Sequence, residues 1–272
     1  MTTTLEAQQN PAAWTKGLSF SRIVRSEWVK LRSLPSSYIL VASSVAAMVG
    51  VGMLGAGGMI LSQRDGQPVA TQAIQSMPMA GLSFGQLLLA ALAVLLVSSE
   101  FGTGMIRPTL TAAPMRTGVL AAKALVAAGI GALTGATAAF LSYLLIQPIL
   151  AQEDLDYALE NPRMYGLLLA TGVYLALAAV IAVSIGVLLR NSAGAIVTVI
   201  GLLFVLPTAL SMIPGGVAAE ILRYLPSEAG SQFMAAEIAD GELTRLEGAL
   251  VMTAWAVGFA LTAALVFRRR DV

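Results

Sequence analysis

The sequence predicts an all-α integral membrane protein with six transmembrane helices, and three observations predict it. The chain is 57% hydrophobic and only 11% charged, with a mean hydropathy of +0.80, whereas soluble domains carry about 25% charged residues. Six apolar runs, at about 38–62, 82–98, 119–147, 164–189, 193–213 and 248–267, have roughly the length needed to cross a ~30 Å hydrocarbon layer. The short alternating strands that build a membrane barrel do not occur.

Charge orients these runs. With the loops assigned alternately to two sides, the side holding both termini collects 12 of the 16 basic residues and 4 of the 15 acidic ones, a net of +8. The other side has a net of −7. Lys and Arg gather on the cytoplasmic side of membrane proteins, so both termini are expected to be cytoplasmic. No cleaved signal peptide is expected, because the first apolar run begins only near Tyr38 and outlasts a signal core.

From the N-terminus, residues 1–17 read as a mobile polar tail and residues 18–272 as one transmembrane domain. Across 18–34, Phe20, Ile23, Val24, Trp28 and Leu31 recur at helical spacing among Arg22, Arg25, Lys30 and Arg32. This pattern predicts an amphipathic interfacial helix with Trp28 at headgroup depth, serving as an anchor or as a gating element. Pro35 ends it and turns the chain into the first span. That span holds five glycines at 50, 52, 55, 57 and 58, which imply a flexible or closely packed outer end. In the third span Ala127, Gly131, Gly135 and Ala139 recur every four residues, a small-residue row expected to pack against another helix of the same chain. Outside, 152–163 is a short acidic connector. The 214–247 loop carries two short amphipathic stretches that either dip into the outer leaflet or lie on it.

Between the second and third spans the chain reads "SSEFGTGMIRPTLTAAPMRTG" from position 98. Glu100 sits where the second span leaves the bilayer, and Gly102 and Gly104 permit a tight reversal. Thr103 is expected to N-cap a new short helix. Met105, Ile106 and Leu110 give that helix an apolar side, flanked by Arg107 and Arg116, with Pro108 near its start and Pro114 at its end. A short helix tied between two spans and facing the cytosol suits a soluble partner that pushes on it.

The residues also argue against several chemistries. There is no cysteine and no histidine, which removes thiol chemistry and the commonest general base and metal ligand. None of the three lysines (Lys16, Lys30, Lys123) is followed by Ser or Thr, so no phosphate-cradling loop of the Walker A kind exists. "GLSFG" at 81–85 matches the G-x-S-x-G nucleophile pattern, but Ser83 lacks a histidine base and Lys123 lies at the opposite end of the membrane. Ser83 therefore reads as a turn or packing residue. No Asp, Glu or Arg is expected deep in a span, which argues against an ion-coupled transporter.

Three stretches resemble the six-span permease subunits of ABC-2 type ABC transporters: "SEWVKLRSLPSSY" at 26–38, "EFGTGMIRPTLTAAPMR" at 100–116 and "YLPSEAG" at 224–230. The 100–116 match is the most specific. The resemblance implies an interfacial helix bearing Arg25, Glu27, Trp28 and Lys30, and an outer re-entrant helical hairpin. It also implies a cytoplasmic coupling helix that meets an ATPase through Glu100, Gly102, Thr103, Gly104, Met105, Ile106, Arg107 and Leu110. By the same resemblance the chain is a transport subunit of the bacterial plasma membrane that pairs with a second copy or a paralogue. It docks onto separately encoded P-loop ATPase subunits, which hold the ATP and Mg, while this chain binds no cofactor or metal itself. The short outer loops fit small exporters of drugs, antibiotics, peptides or lipids, and so a hydrophobic or amphipathic cargo; no nucleic acid is expected as a partner. The alternatives are an ion-coupled secondary transporter and a membrane scaffold or enzyme without transport activity.

Overall fold

The computed structural model describes residues 19–106, 108, 116–158, 162–239 and 241–269, and among them every element is helical. The tail expected at 1–17 lies outside the described residues. Among the described residues, six helical segments are long and apolar enough to cross a membrane: Pro35–Arg64, Thr71–Gly102, Arg116–Glu153, Met164–Leu189, Ser192–Ser211 and Arg245–Arg269. Each coincides with one of the six apolar runs, extended by several residues where the helix outlasts the hydrophobic stretch.

Helix α1 (Phe20–Ser33) ends at Leu34, whose extended backbone is the conformation imposed on a residue preceding proline. Pro35 then opens α2 (Pro35–Arg64) from its first turn, where its missing N–H costs no hydrogen bond. A short helix α3 (Thr71–Ser76) and one 3₁₀ turn lead into α4 (Leu82–Gly102). The longest helix is α5 (Arg116–Leu150), which tolerates Pro148 in its final turn. Helix α6 (Pro162–Leu189) follows and is the most buried of the six spanning segments.

Close backbone contact explains why α6 sits at the centre. A methyl group added at Gly131 would lie 2.6 Å from the Leu175 carbonyl oxygen, and one at Gly135 would lie 2.8 Å from that of Thr171. From the other side, Gly172 leaves only 2.5 Å to the Ala132 carbonyl oxygen. The small-residue row of α5 is therefore the seat of α6, an internal contact that brings two backbones together where lipid offers helices no hydrophobic drive to associate. On α2 the glycines divide: Gly52 and Gly55 abut Ser142 and Met77, while Gly50, Gly57 and Gly58 face open space.

The fifth spanning segment is built from α7 (Ser192–Ile200), a π-helical turn at Gly201–Val205 and α8 (Leu206–Ser211). Asn191 caps α7 by accepting from the Gly194 N–H at 2.8 Å. Pro207 accounts for the wide turn. It has no N–H for the Leu203 carbonyl and its ring would press on that group, and the added backbone of a π turn relieves the crowding. Two short helices, α9 (Gly216–Arg223) and α10 (Pro226–Phe233), are both too short to span and are followed by α11 (Arg245–Arg269). Trp255 of α11 donates its indole N–H to the Tyr224 carbonyl at 2.8 Å, and the absent side chain of Gly248 lets α11 approach the Ala229 carbonyl. Helices α2, α7 and α11 present large apolar side chains outward, among them Leu54, Leu61, Val197, Leu246 and Leu261. Such a periphery suits hydrocarbon rather than water.

Candidate functional site: a buried charge network

Three helices converge where α4 ends and α5 begins. On α1 the side chains that turn inward are Ile23, Glu27 and Leu31, spaced four apart along one face. Phe20, Trp28 and Val29 point outward and are exposed, as is Arg25. The apolar face expected from sequence is thus divided: part of it packs on the protein, and Trp28 with Phe20 faces the surroundings. At the centre of the inner face sits a carboxylate.

Glu27 meets Lys123, which lies two turns into α5, at 2.6 Å between Oε2 and Nζ. The same ammonium donates to Glu100 Oε1 of α4 at 2.8 Å and to the Leu96 carbonyl at 3.2 Å. Lys30, one turn along α1, closes the ring by donating to Glu27 Oε1 and Glu100 Oε1, both at 2.8 Å. Two carboxylates and two ammonium groups form a network of zero net charge. Its inner members are shut away from solvent, with Lys123 3% and Glu27 4% exposed. Lys30 is the outer member, with 41% of its side chain exposed. Its partial burial alone would lower its pKa, but hydrogen bonds and charge from Glu100 and Glu27 outweigh that and hold it above the usual lysine value.

Removing charge from water is costly, and the network offsets that cost by pairing every ion. Glu100 Oε2 is buried and has no hydrogen-bond partner among the described residues. The other flank of the α4 terminus is gripped differently. The Arg190 guanidinium lies 5.1 Å over the Phe101 ring, which in turn stacks edge-on against Phe267 at 6.3 Å. Ser192 donates to Ser98 at 2.8 Å. The end of α4 is therefore held from both sides.

Beyond it, the chain departs from the expected detail. Thr103 does not open a new helix; it closes α4, with its N–H and its hydroxyl both donating to the Ser99 carbonyl. The reason is Gly104, whose φ of +72° ends the helix directly after Thr103, as glycine does after many helix C-termini. Gly102 is the last residue of α4. Met105 is 58% exposed, but Ile106 is 4% exposed and packed into the chain's own core. The sequence expectation has Ile106 facing a partner; instead it is buried within the chain, while its neighbour Met105 is exposed. Arg107 and Leu110 lie outside the described residues.

Lys123 is the member that sequence reading passed over, because 23 residues separate it from Glu100 and 96 from Glu27. A signal was present: a lysine inside an apolar helix of a chain with only three lysines needs a carboxylate nearby. Lys123 is thus engaged with Glu27 and Glu100, far from Ser83. The glycines of the 81–85 pattern have a packing role, since methyl groups at Gly81 and Gly85 would collide with Met48 of α2. Among the described residues no group of three or more acidic side chains is placed to hold a metal ion. In comparisons with known proteins, no family model matches this chain and no curated protein matches it.

Proposed function

We propose that this chain is the membrane-spanning permease subunit of an ATP-driven exporter of the ABC-2 type, with ATP hydrolysed by a separate P-loop subunit. The observation that carries the reading is the charge network, which ties α1 to the two helices flanking residues 103–115. A loop that relays force needs a stiff mount. Buried ion pairs lose several kcal/mol when one partner is withdrawn, so α1, α4 and α5 resist separation and move as a unit. In this reading both termini are cytoplasmic, α1 is the interfacial helix and 103–115 contains the coupling element. Helices α9 and α10 form the outer hairpin, and a second copy or paralogue completes the path for a hydrophobic or amphipathic cargo. The exposed Met105 supplies an apolar contact to the ATPase.

The test is purification of the tagged chain from its native membrane. A P-loop ATPase should copurify with it, and Met105→Asp should weaken that association while membrane insertion is kept. Burial of a Met side chain is worth about 1.5–3 kcal/mol, so its loss weakens docking by roughly one to two powers of ten. ATP hydrolysis by the isolated chain, or transport that proceeds without any ATPase, would overturn the proposal.

A further inference from the structure

At the opposite end of α4 from the charge network lies a cavity of about 170 Å³. Gln86 and Glu100 are 14 residues apart on this helix, or roughly 21 Å at 1.5 Å per residue. The cavity is unusually polar for its position. Ser83 and Gln86 of α4, Tyr174 of α6, Thr208 of α8, and Ser227 and Glu228 of α10 all line it. Leu203 and Phe204 of the π-helical turn form part of its wall.

Three of these groups have unmet bonding capacity. Gln86 is 4% exposed and accepts from the Tyr174 hydroxyl through its Oε1, yet its amide nitrogen donates to nothing among the described residues. The buried Ser227 hydroxyl likewise has no partner. No cation among the described residues pairs with the Glu228 carboxylate, since Arg223 is engaged with Glu220 and Glu242. A buried hydroxyl is normally satisfied, and one left without a partner beside an amide and a carboxylate that line the same cavity marks a place for a polar ligand.

We infer that this cavity binds the head of an amphipathic amino alcohol, with the ammonium on Glu228 and the neighbouring oxygen accepting from Gln86. The hydroxyls of Ser83, Thr208 and Ser227 complete the shell around a polar, cationic group. At about 30 Å³ per water, 170 Å³ holds roughly five or six waters, which is ample for a head of four heavy atoms. The apolar tail has a place as well. A second groove of about 520 Å³ shares Leu82, Ser83 and Ser231 with the cavity and continues past Met79, Ala80 and Met234. Burial, and then the charge of Glu242, disfavour the ionised form of Glu228, and a bound ammonium relieves that cost. As the cargo of an exporter, the amino alcohol rests on the reading proposed above; as a ligand of this chain, it does not.

The experiment therefore uses the purified full-length chain in nanodiscs, without any ATPase. Saturable binding is measured for three probes with the same tail: N-decylethanolamine, decylamine and decanol. The expected order is N-decylethanolamine tightest, decylamine next and decanol with no saturable component. Glu228→Gln should weaken both amines at least tenfold. Gln86→Leu should abolish the preference for N-decylethanolamine over decylamine while leaving decylamine bound. Partitioning into lipid is common to all variants and cancels. Equal binding of decanol, an unchanged affinity in Glu228→Gln, or purely non-saturable uptake by the wild-type chain would each overturn the inference. A chain that binds the amines but recruits no ATPase would sink the export reading alone, and a chain that recruits the ATPase but binds no amine would sink only this site.

Discussion

Replacing Lys123 by methionine removes the hub of the charge network while keeping an unbranched apolar stem in its place. Two carboxylates would then share Lys30 alone, and the side chains of Glu27 and Glu100 are only 4% and 11% exposed. Breaking a buried pair by removing one partner costs about 3–5 kcal/mol, chiefly because the remaining charge stays buried. The Lys123 ion pairs fasten α1 to α4 and α5, so the cost falls on the local opening of α1 rather than on the bundle. Through the tenfold-per-1.4 kcal/mol relation, that opening becomes roughly a hundredfold to several thousandfold more frequent. Amide hydrogen exchange across Phe20–Ser33 reads this ratio directly. Lys30→Met provides the contrast. Lys30 is 41% exposed, and pairs in contact with water are worth about 1 kcal/mol or less, a change of roughly fivefold at most. Adding Glu27→Gln to Lys123→Met restores neutrality and should recover part of the protection, as coupled neighbours do. Wild-type exchange in Lys123→Met, or an equal loss in Lys30→Met, would refute the idea that the buried ions hold α1 in place.

Three further outcomes are expected. Gly172→Ala should destabilise the chain by about 1–3 kcal/mol, because its methyl meets the Ala132 carbonyl at 2.5 Å. Gly129→Ala, with open space around it, should be neutral or gain about 0.4–1 kcal/mol, and thermal unfolding in detergent compares the two. Glu228→Gln should stabilise the protein at neutral pH. The folded-state pKa of Glu228 is raised by burial and by Glu242, and Tyr174 faces it from α6. Its penalty is therefore absent below the ordinary carboxyl value of 4.5, grows as pH rises through the folded value, and then stays constant. A stability gain that does not change between acidic and neutral pH would contradict this. Finally, single cysteines can be placed freely because the chain has none. An impermeant thiol reagent on intact cells should label Asp156→Cys and spare Thr103→Cys; the reverse pattern would invert the proposed orientation.

Hydropathy and length determined the six helical segments without any tertiary information, since crossing hydrocarbon requires only about 20 consecutive apolar residues with their backbone bonds satisfied within the helix. The break at Pro35 was legible for the same local reason, because a proline constrains the residue before it wherever it stands. The presence of a small-residue row in α5 was also legible, but its partner was not: only packing decided that Gly131 and Gly135 seat Gly172 and Leu175 of α6. The same limit applied at the candidate site. Glu27, Glu100 and Lys123 stand far apart along the chain and belong to three helices, so no periodicity links them. The fate of the 103–106 turn depended on a competition that local preference could not settle. Thr103 suits the start of a helix as well as the end of one, and the positive φ of Gly104 together with the pull of Ile106 into the core decided for the end. Patterns of residue type along the chain determined which segments are helices. Which side chains meet, and which polar groups are left facing a cavity without partners, was decided only when those helices packed, because contact energy depends on distance in space and not on separation in sequence.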